Sequence, residues 1–390
     1  MQTKEILIKH FDWTEQEVID KAKKLEFIFS ELSEDAVLEL AQFFCSEFQL
    51  SEDEFKKILK KMPSLLNFTI EGIKKKEQFY ESVFSMKREE INKMVKVFPR
   101  ILGLSTQSVL DKENFYKSEF RVTHDDFCKM IKLSPALLSY DTDSVQEKTK
   151  FYESIFGITS TEFGKMMKVH PALLGYSTDS VQEKAKFYED TFGITSTEFG
   201  KMIKVFPALL SYATDSVQEK AEFYESIFGI TSTEFGEMIK KVPALLGRSI
   251  ESVQEKVREI KDIKIPSQVI VQNPSILAVP KNTLKLRYVI LRNIASREEI
   301  FSYPNWYMTS QDKTYARACY LSETGKKLNW KTVLYSEKLF GKMCGVSSDE
   351  LMAKYKLTAG KIEKLRSVLE KNEIVDFNDD EKGGIEEKWR

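Results

Sequence analysis

Lysines recur at a fixed spacing in the 390-residue sequence, and their ammonium groups could bind the phosphates of a polyanion. One series, which we name the far lysines, stands six residues before each of five evenly spaced prolines: Lys57, Lys93, Lys129, Lys165 and Lys201. A second series, the near lysines, stands three residues before those prolines and before a sixth: Lys60, Lys96, Lys132, Lys168, Lys204 and Lys240. The spacing of three places the two lysines of a pair on one face of a helix. Stacked helices would align them in two rows that a phosphate backbone could follow.

The same lysines have a plainer interpretation. An acidic residue stands three residues before each far position: Glu54, Glu90, Asp126, Glu162, Glu198 and Glu234. These carboxylates would form ion pairs with the lysines of their own helix on a solvated face, each contributing a few tenths of a kcal/mol. In the sixth copy Glu237 replaces the far lysine. The sequence alone leaves the phosphate-binding row and the ion-paired surface open.

The lysines belong to a repeat. Prolines stand 36 residues apart at Pro63, Pro99, Pro135, Pro171, Pro207 and Pro243. Residues 157–192 and 193–228 differ at only 7 of 36 positions. A degenerate copy in 34–48 opens the array, and Pro274, 31 residues after Pro243, indicates a shortened copy at its end. Fixed periods of 20 to 50 residues are typical of stacked supersecondary units.

Each copy predicts two helices, as 157–192 shows. Thr159 and Ser180 each precede a glutamate by three residues, which is the spacing of a capping box at a helix start. Pro171 ends the first helix, because proline disfavours α geometry in the residue before it. Gly193 stands where a helix often ends in a left-handed glycine. The pattern is therefore helix, short turn, helix.

Glycine lies inside the first helix of three copies, at Gly164, Gly200 and Gly236. A glycine in a helix interior costs about 1 kcal/mol relative to alanine, so we expect close approach between neighbouring copies there. One copy cannot bury its own apolar stripe, and stability must come from stacking. The sequence predicts an all-α fold: a solenoid, or superhelix, of tandem 36-residue helical repeats with a small helical C-terminal module.

Charge varies along the chain, although 59 basic and 60 acidic residues leave a net charge of only −1. Residues 1–50, the expected N-terminal capping repeat, carry −6, and the six repeats of 51–260 carry −1. Residues 261–371, the shortened repeat and C-terminal module, carry +10. The tail 372–390 carries −4, and we expect it to be disordered. The C-terminal third is therefore the electrostatic attractor for a polyanion.

Further cations are candidates for nucleic-acid contact. Arg287 and Arg292 lie in a predicted helix beside the basic module and could bind phosphate. The remaining candidates are Arg248, Lys281, Lys285, Arg317, Lys326 and Lys327. Aromatic residues alternate with cations in 301–330 and could stack on exposed bases. Such aromatics more often fill the core of a small domain, which is the interpretation we favour.

The sequence contains no pattern typical of an enzyme. It has no glycine-rich phosphate loop or nucleophile elbow, and its four cysteines and three histidines lack metal-ligand spacing, so neither a metal nor another cofactor is expected. No apolar run reaches the roughly 18 residues that cross a membrane. The first 20 residues resemble neither a signal peptide nor a transit peptide, which favours the cytoplasm.

The repeat resembles that of the mTERF family, the mitochondrial transcription termination factors and their relatives. In FGKMIKVFPALLSYATDSVQEKAEFYESIFG (199–229) a helix ends at a proline, two leucines follow, and a second helix ends near a glycine. The likeness covers six repeats over about 51–260, and 345–371 resembles the family's terminal module. The resemblance implies a basic concave face that holds nucleic acid, usually a duplex, in transcription or organellar RNA metabolism. It also adds the mitochondrial matrix as an alternative location.

These features favour a monomeric protein that binds double-stranded DNA and acts in transcription regulation or termination, without contacting a membrane. Two alternatives stay open. One is a protein-interaction scaffold, since helical solenoids present surfaces to peptides as readily as to nucleic acid. The other is single-stranded RNA binding with one base read per repeat. The positions variable enough for such reading are Lys150, Lys186 and Glu222, and Ser139, Gly175, Ser211 and Gly247.

Overall fold

The computed structural model describes residues 3–25, 32–260, 263–292, 294–303, 306–324 and 330–363. The tail 372–390 and the candidates Lys326 and Lys327 lie outside these ranges. All regular elements within them are helices, which confirms the predicted all-α class. The chain divides into two compact units, Met1–Lys184 with Ser196–Leu210, and Ala185–Thr195 with Ser211–Arg390.

Among the helices that the structure describes, none combines the length and the apolar character needed to cross a bilayer.

Three helices precede the regular repeats: α1 (Thr3–Phe11), α2 (Glu15–Leu25) and α3 (Glu34–Glu47). The first helices of the six repeats are α4 (Glu52–Lys61), α6 (Arg88–Val97), α8 (His124–Leu133), α10 (Ser160–Val169), α12 (Ser196–Val205) and α14 (Ser232–Lys241). The second helices are α5 (Ile70–Phe84), α7 (Thr106–Phe120), α9 (Thr142–Phe156), α11 (Thr178–Phe192), α13 (Thr214–Phe228) and α15 (Ile250–Ile260). A five-residue 3-10 turn that begins at the proline joins the two helices of each repeat.

Capping residues set where these helices begin. Thr159 forms the predicted capping box at the start of α10, with its side chain accepting from the Glu162 amide. The second predicted box is wrong, because α11 begins at Thr178 and Ser180 lies inside it. The Ser180 amide instead donates to the Ser177 hydroxyl at 3.2 Å. Ser177 therefore caps the helix through its hydroxyl, although no glutamate follows it by three residues.

Glycines inside the first helices mark close contacts between repeats, as predicted. A Cβ placed on Gly200 in α12 would lie 2.6 Å from the carbonyl oxygen of Phe156, the last residue of α9. Gly164 and Gly236 stand in the same relation to Phe120 and Phe192, again at 2.6 Å. A side chain larger than hydrogen would therefore force neighbouring helices apart.

Aromatic rings fill the space beside these contacts. The Tyr152 and Phe163 ring centroids are 4.8 Å apart, and Phe156 and Phe199 are 5.8 Å apart. The second helices α5, α7, α9, α11 and α13 each contain a phenylalanine followed directly by a tyrosine. The tyrosine of each pair is almost completely buried: Tyr80, Tyr116, Tyr152, Tyr188 and Tyr224. Within a compact unit, stacked repeats thus share a core, because each repeat buries its apolar stripe against the next.

The shortened repeat has the expected order of elements. Its first helix, α16 (Ser267–Gln272), has 6 residues where α14 has 10. The turn Pro274–Ala278 and α17 (Lys281–Arg292) follow. The remaining elements are α18 (Arg297–Ser302), α19 (Gln311–Thr324), a turn at Trp330–Leu334, α20 (Glu337–Cys344) and α21 (Ser348–Lys354).

The aromatics of 301–330 are core residues for the most part. Trp306, Tyr307, Tyr315 and Trp330 are buried, while Tyr303 and Tyr320 are half-buried. Their rings contact other protein rings, such as Tyr288 against Trp306 at 6.1 Å between centroids. The interpretation of this cluster as a domain core is confirmed, and the buried rings are not available to stack on bases.

Candidate nucleic-acid interface

All of the near lysines except Lys240 are bound to carboxylates that lie outside their own helices. Lys204 Nζ lies 3.0 Å from Glu162 Oε1, on the first helix of the preceding repeat. The corresponding pairs are Lys96 with Glu54 at 3.5 Å, Lys132 with Glu90 at 2.9 Å, and Lys168 with Asp126 at 2.6 Å. Lys60 pairs with Glu17 of α2 at 3.0 Å, and Lys240 pairs with Glu237 of its own helix at 2.5 Å.

The expectation that these acids pair within their own helices is therefore wrong for Glu54, Glu90, Asp126 and Glu162. Stacking brings the last turn of one first helix against the first turn of the preceding one. Each near lysine finds its carboxylate there. Four near lysines thus link consecutive repeats, and their charge is largely neutralised before any ligand arrives.

The acidic partners have a second role. Glu162 Oε2 accepts from the Thr159 amide at 3.0 Å, so one carboxylate both caps α10 and binds Lys204 of the next repeat. The hydrogen bond from Lys204 holds the pKa of Glu162 below its ordinary value, and the Thr159 amide adds to the effect. The bond from Lys168 likewise lowers the pKa of Asp126. Both carboxylates are therefore charged at neutral pH.

The far lysines differ from the near ones. All five are exposed, on α4, α6, α8, α10 and α12. Among the residues that the structure describes, none of the five has a hydrogen-bond or ion-pair partner. They lie one turn from the near lysines, but their ammonium groups remain in water. Of the two predicted rows, only this one presents unneutralised charge along the repeats of the first unit.

A third lysine series was missed by the sequence analysis. Lys148 Nζ, on α9, donates to the carbonyl oxygens of Leu174 and Tyr176 in the next repeat, both at 2.5 Å. Equivalent bonds run from Lys112 to Tyr140, Lys184 to Leu210, Lys76 to Leu104, Lys220 to Leu246 and Lys256 to Val279. We name these six the staple lysines. They bind the C-terminal end of each 3-10 turn, where carbonyls favour a cation.

The staple lysines are less exposed than the far lysines, and the ammonium groups of four of them are desolvated. Desolvation lowers the pKa of Lys76, Lys148, Lys184 and Lys220. In the sequence, a β-branched residue recurs every 36 residues in the second helix, and a lysine follows it by three residues, as in Val145 and Lys148. That spacing puts the lysine stem on the buried face. These lysines hold repeats together and are not available to phosphate.

The prediction that Arg317 contacts nucleic acid is wrong. Its side chain is 1% exposed and lies inside the C-terminal module. The guanidinium donates to Ser348 Oγ at 2.7 Å and to the carbonyl oxygens of Val333 and Tyr335 at 2.9 and 2.6 Å. A fourth bond, to Glu337 Oε2 at 2.9 Å, neutralises its charge. Arg317 therefore joins α19, α20 and α21.

The other C-terminal candidates are more enclosed than their sequence positions indicated. Arg287 is half-buried, and desolvation lowers its pKa. Arg292 is half-buried and donates to the Ala295 carbonyl oxygen at 3.0 Å, and Lys285 is half-buried as well. The side chain of Lys281 lies outside the described residues. Less of the +10 charge of 261–371 reaches the surface than the sequence alone implied.

Arg248 occupies a separate position. It is half-buried and lines a cleft of about 300 Å³ with Ser252, Glu255, Lys256 and Val279. The side chain of Lys256 is buried there and is bonded to the Val279 carbonyl oxygen. Arg248 belongs to the second compact unit, whereas the far lysines belong to the first.

The chain is built from tandem pairs of helices, each joined by a 3-10 turn, and the pairs repeat their capping residues, staple lysines and close contacts. This architecture defines a helical-repeat protein of the solenoid class. The sequence model of one such family, mTERF, matches residues 4–121, 84–192, 118–228 and 154–316. These overlapping matches span most of the chain, and the chain belongs to the mTERF family. The comparison with curated proteins gives no match.

Membership confirms the resemblance drawn from the proline-leucine-leucine repeats. It associates the chain with nucleic-acid binding and with a role connected to transcription. Members of the family generally act by binding rather than by catalysis.

Proposed function

We propose that this protein binds double-stranded DNA through the far lysines and acts in the regulation or termination of transcription. The observation that carries the proposal is the exposed, unneutralised lysine on five consecutive first helices of a chain in the mTERF family. Membership supports nucleic acid as the ligand. The choice of duplex DNA rests on the geometry of the row.

The spacing of the far lysines suits a duplex. Packed helices lie about 8 to 10 Å apart, and the phosphates of one DNA strand follow at about 3.4 Å along the helix axis. One lysine per repeat would therefore meet about every third phosphate, and five would cover roughly 12 base pairs. Lysine contacts of this kind carry no base information, so the row supports affinity and register rather than sequence recognition.

The near and staple lysines limit the expected electrostatics. Near lysines bound to carboxylates would displace few counterions from a nucleic acid, and staple lysines bonded to carbonyl oxygens would displace none. The salt dependence should therefore reflect about five contacts, with log K falling against log salt at a slope of about −4.5. A double row of eleven free lysines would give about twice that slope.

The test is salt-titrated binding of a labelled 24-base-pair duplex, measured by fluorescence anisotropy. We expect the substitutions Lys129→Gln, Lys165→Gln and Lys201→Gln together to weaken binding at least tenfold. The slope should shrink by about 2.7, for three lost contacts. A matched control carries Lys4→Gln, Lys150→Gln and Lys186→Gln, which remove the same charge from exposed positions on helices other than the first helices of the repeats.

Three results would contradict the proposal: no binding of the duplex at low salt, equal losses in the two triple variants, or tighter binding of a single-stranded RNA of the same length. The last would favour reading of bases by the repeats, with Lys150, Lys186 and Glu222 as the positions to exchange first.

A further inference from the structure

An apolar row runs beside the far lysines. Val97, Leu133, Val169 and Val205 are the last residues of α6, α8, α10 and α12, and each is between 67% and 78% exposed. They follow the far lysine of the same helix by four residues, so each helix presents a lysine and an aliphatic side chain one turn apart. All four belong to the first compact unit. We name them the aliphatic row.

Local structure does not account for the aliphatic row. Valine is a weaker helix former than lysine or alanine, and at this exposure its side chain contributes little to the core. The same position is Lys61 in the first repeat and Lys241 in the sixth, so a charged residue is compatible with the fold there. The binding of a phosphate backbone does not require exposed aliphatic side chains either. The row is unexplained by folding and by the proposed function.

The chemistry of the surface defines the ligand that would cover it. Each aliphatic side chain lies one turn from an exposed ammonium group, so a partner must present apolar groups with acidic groups beside them. Consecutive first helices are about 10 Å apart. An α-helix advances about 10.5 Å in seven residues, so an apolar residue at every seventh position would meet one member of the row in each repeat.

An extended peptide does not match this spacing. It advances about 3.3 Å per residue, and side chains on one face recur at about 6.6 Å or 13 Å. We infer that the aliphatic row, with the far lysines beside it, is a docking surface for an acidic amphipathic helix of another protein, about 22 residues long to span four repeats. This surface adds a protein partner to the nucleic-acid ligand and does not depend on it.

The inference is tested with a designed peptide. The probe is a fluorescein-labelled 22-residue helix with leucine at every seventh position and glutamate on the flanking positions, and its control has the same composition with the leucines permuted. We expect the probe to bind with a micromolar Kd and the permuted peptide at least tenfold more weakly. The substitutions Val97→Ser, Leu133→Ser, Val169→Ser and Val205→Ser together should weaken probe binding at least tenfold.

The control variant is Ile19→Ser, which removes a solitary exposed aliphatic side chain from α2 and should leave probe binding unchanged. Equal affinity for the two peptides, or full affinity in the fourfold serine variant, would overturn the inference. So would a monomer–dimer equilibrium that the serine substitutions abolish, since a second copy would then be the occupant. A parallel loss of duplex binding in the serine variant would instead assign the row to the nucleic-acid site.

Discussion

The ammonium group of Lys204 lies 3.0 Å from the carboxylate of Glu162, which precedes it by 42 residues. The bond crosses from one repeat to the one before it, and the same carboxylate caps its own helix through the Thr159 amide. One acidic residue therefore fixes both a helix start and the position of the next repeat. This arrangement also removes Lys204 from the set of cations that a polyanion could bind.

Glu162→Gln should destabilise the protein by about 1 kcal/mol, since a partly exposed ion pair and a cap are both weakened. A double-mutant cycle with Lys204→Met, measured by urea unfolding, should give a coupling free energy of about 0.5 kcal/mol. Lys201→Met, one turn away and unpaired, is the control and should stay within about 0.5 kcal/mol of wild type. Zero coupling would show that the two groups do not interact in solution.

The Glu162 pair also fixes a direction of pH dependence. Because the folded pKa of Glu162 is lowered, its contribution is fully present above the ordinary glutamate pKa of 4.5 and is lost as pH falls below it. The difference in unfolding free energy between wild type and Glu162→Gln should therefore shrink as pH is lowered from 6 to 3. A difference that stays constant over that range would exclude the ion pair as its source.

Burial of the repeated tyrosines predicts alkaline unfolding. Desolvation raises the pKa of Tyr80, Tyr116, Tyr152, Tyr188 and Tyr224 far above the ordinary value of 10.0. Stability is then unaffected below pH 10 and is lost above it, because only the unfolded chain ionises. Above pH 10, each of these tyrosines should lower the free energy of unfolding by about 1.4 kcal/mol per pH unit.

Tyr152→Phe is the test of this assignment. Urea unfolding between pH 10 and 11.5 should show that the free energy of unfolding falls less steeply with pH in the variant than in wild type. The slope should be smaller by about one fifth if the five tyrosines contribute equally. Ultraviolet titration of the folded protein should show these phenols ionising only as the fold is lost. Early ionisation of all the phenols, with the fold intact, would contradict the prediction.

Gly200→Ala should be strongly destabilising despite the better helix propensity of alanine. The added Cβ would lie 2.6 Å from the Phe156 carbonyl oxygen, and backbone must move to relieve the clash. Overpacking of this kind costs about 1 to 3 kcal/mol. Gly360→Ala is the matched control, since a Cβ there meets nothing within 4 Å, and thermal unfolding should find it neutral or stabilised.

Lys148→Met should destabilise the protein through the loss of a repeat-to-repeat link. The methionine retains an apolar stem but leaves the Leu174 and Tyr176 carbonyl oxygens without their ammonium donor. We expect a loss of about 1 to 3 kcal/mol, as for hydrogen bonds to charged groups. Lys150→Met, exposed on the same helix, removes the same charge and should change stability by less than about 0.5 kcal/mol. Equal losses in the two variants would reject the staple role.

Local sequence was sufficient for the repeat and for most element boundaries. The prolines, the capping box at Thr159 and the left-handed Gly193, with φ of 68°, lie where the pattern predicted them. The glycines inside the first helices mark close contacts between repeats, as the sequence predicted. The helix start predicted at Ser180 was wrong because Ser177, three residues earlier, caps the helix through its hydroxyl without the glutamate that the box pattern requires.

The helices, the period and the apolar stripe of each repeat could be predicted from the amino-acid sequence, because they follow from backbone sterics and from periodicity within a few turns. Which lysines are free depends on contacts made in the folded chain. Five of the six near lysines, the staple lysines and Arg317 are bonded to groups distant in sequence, and the far lysines are not. The reason is physical: the charge of a side chain is set by its type, but its partner is set by the register in which stacked repeats meet.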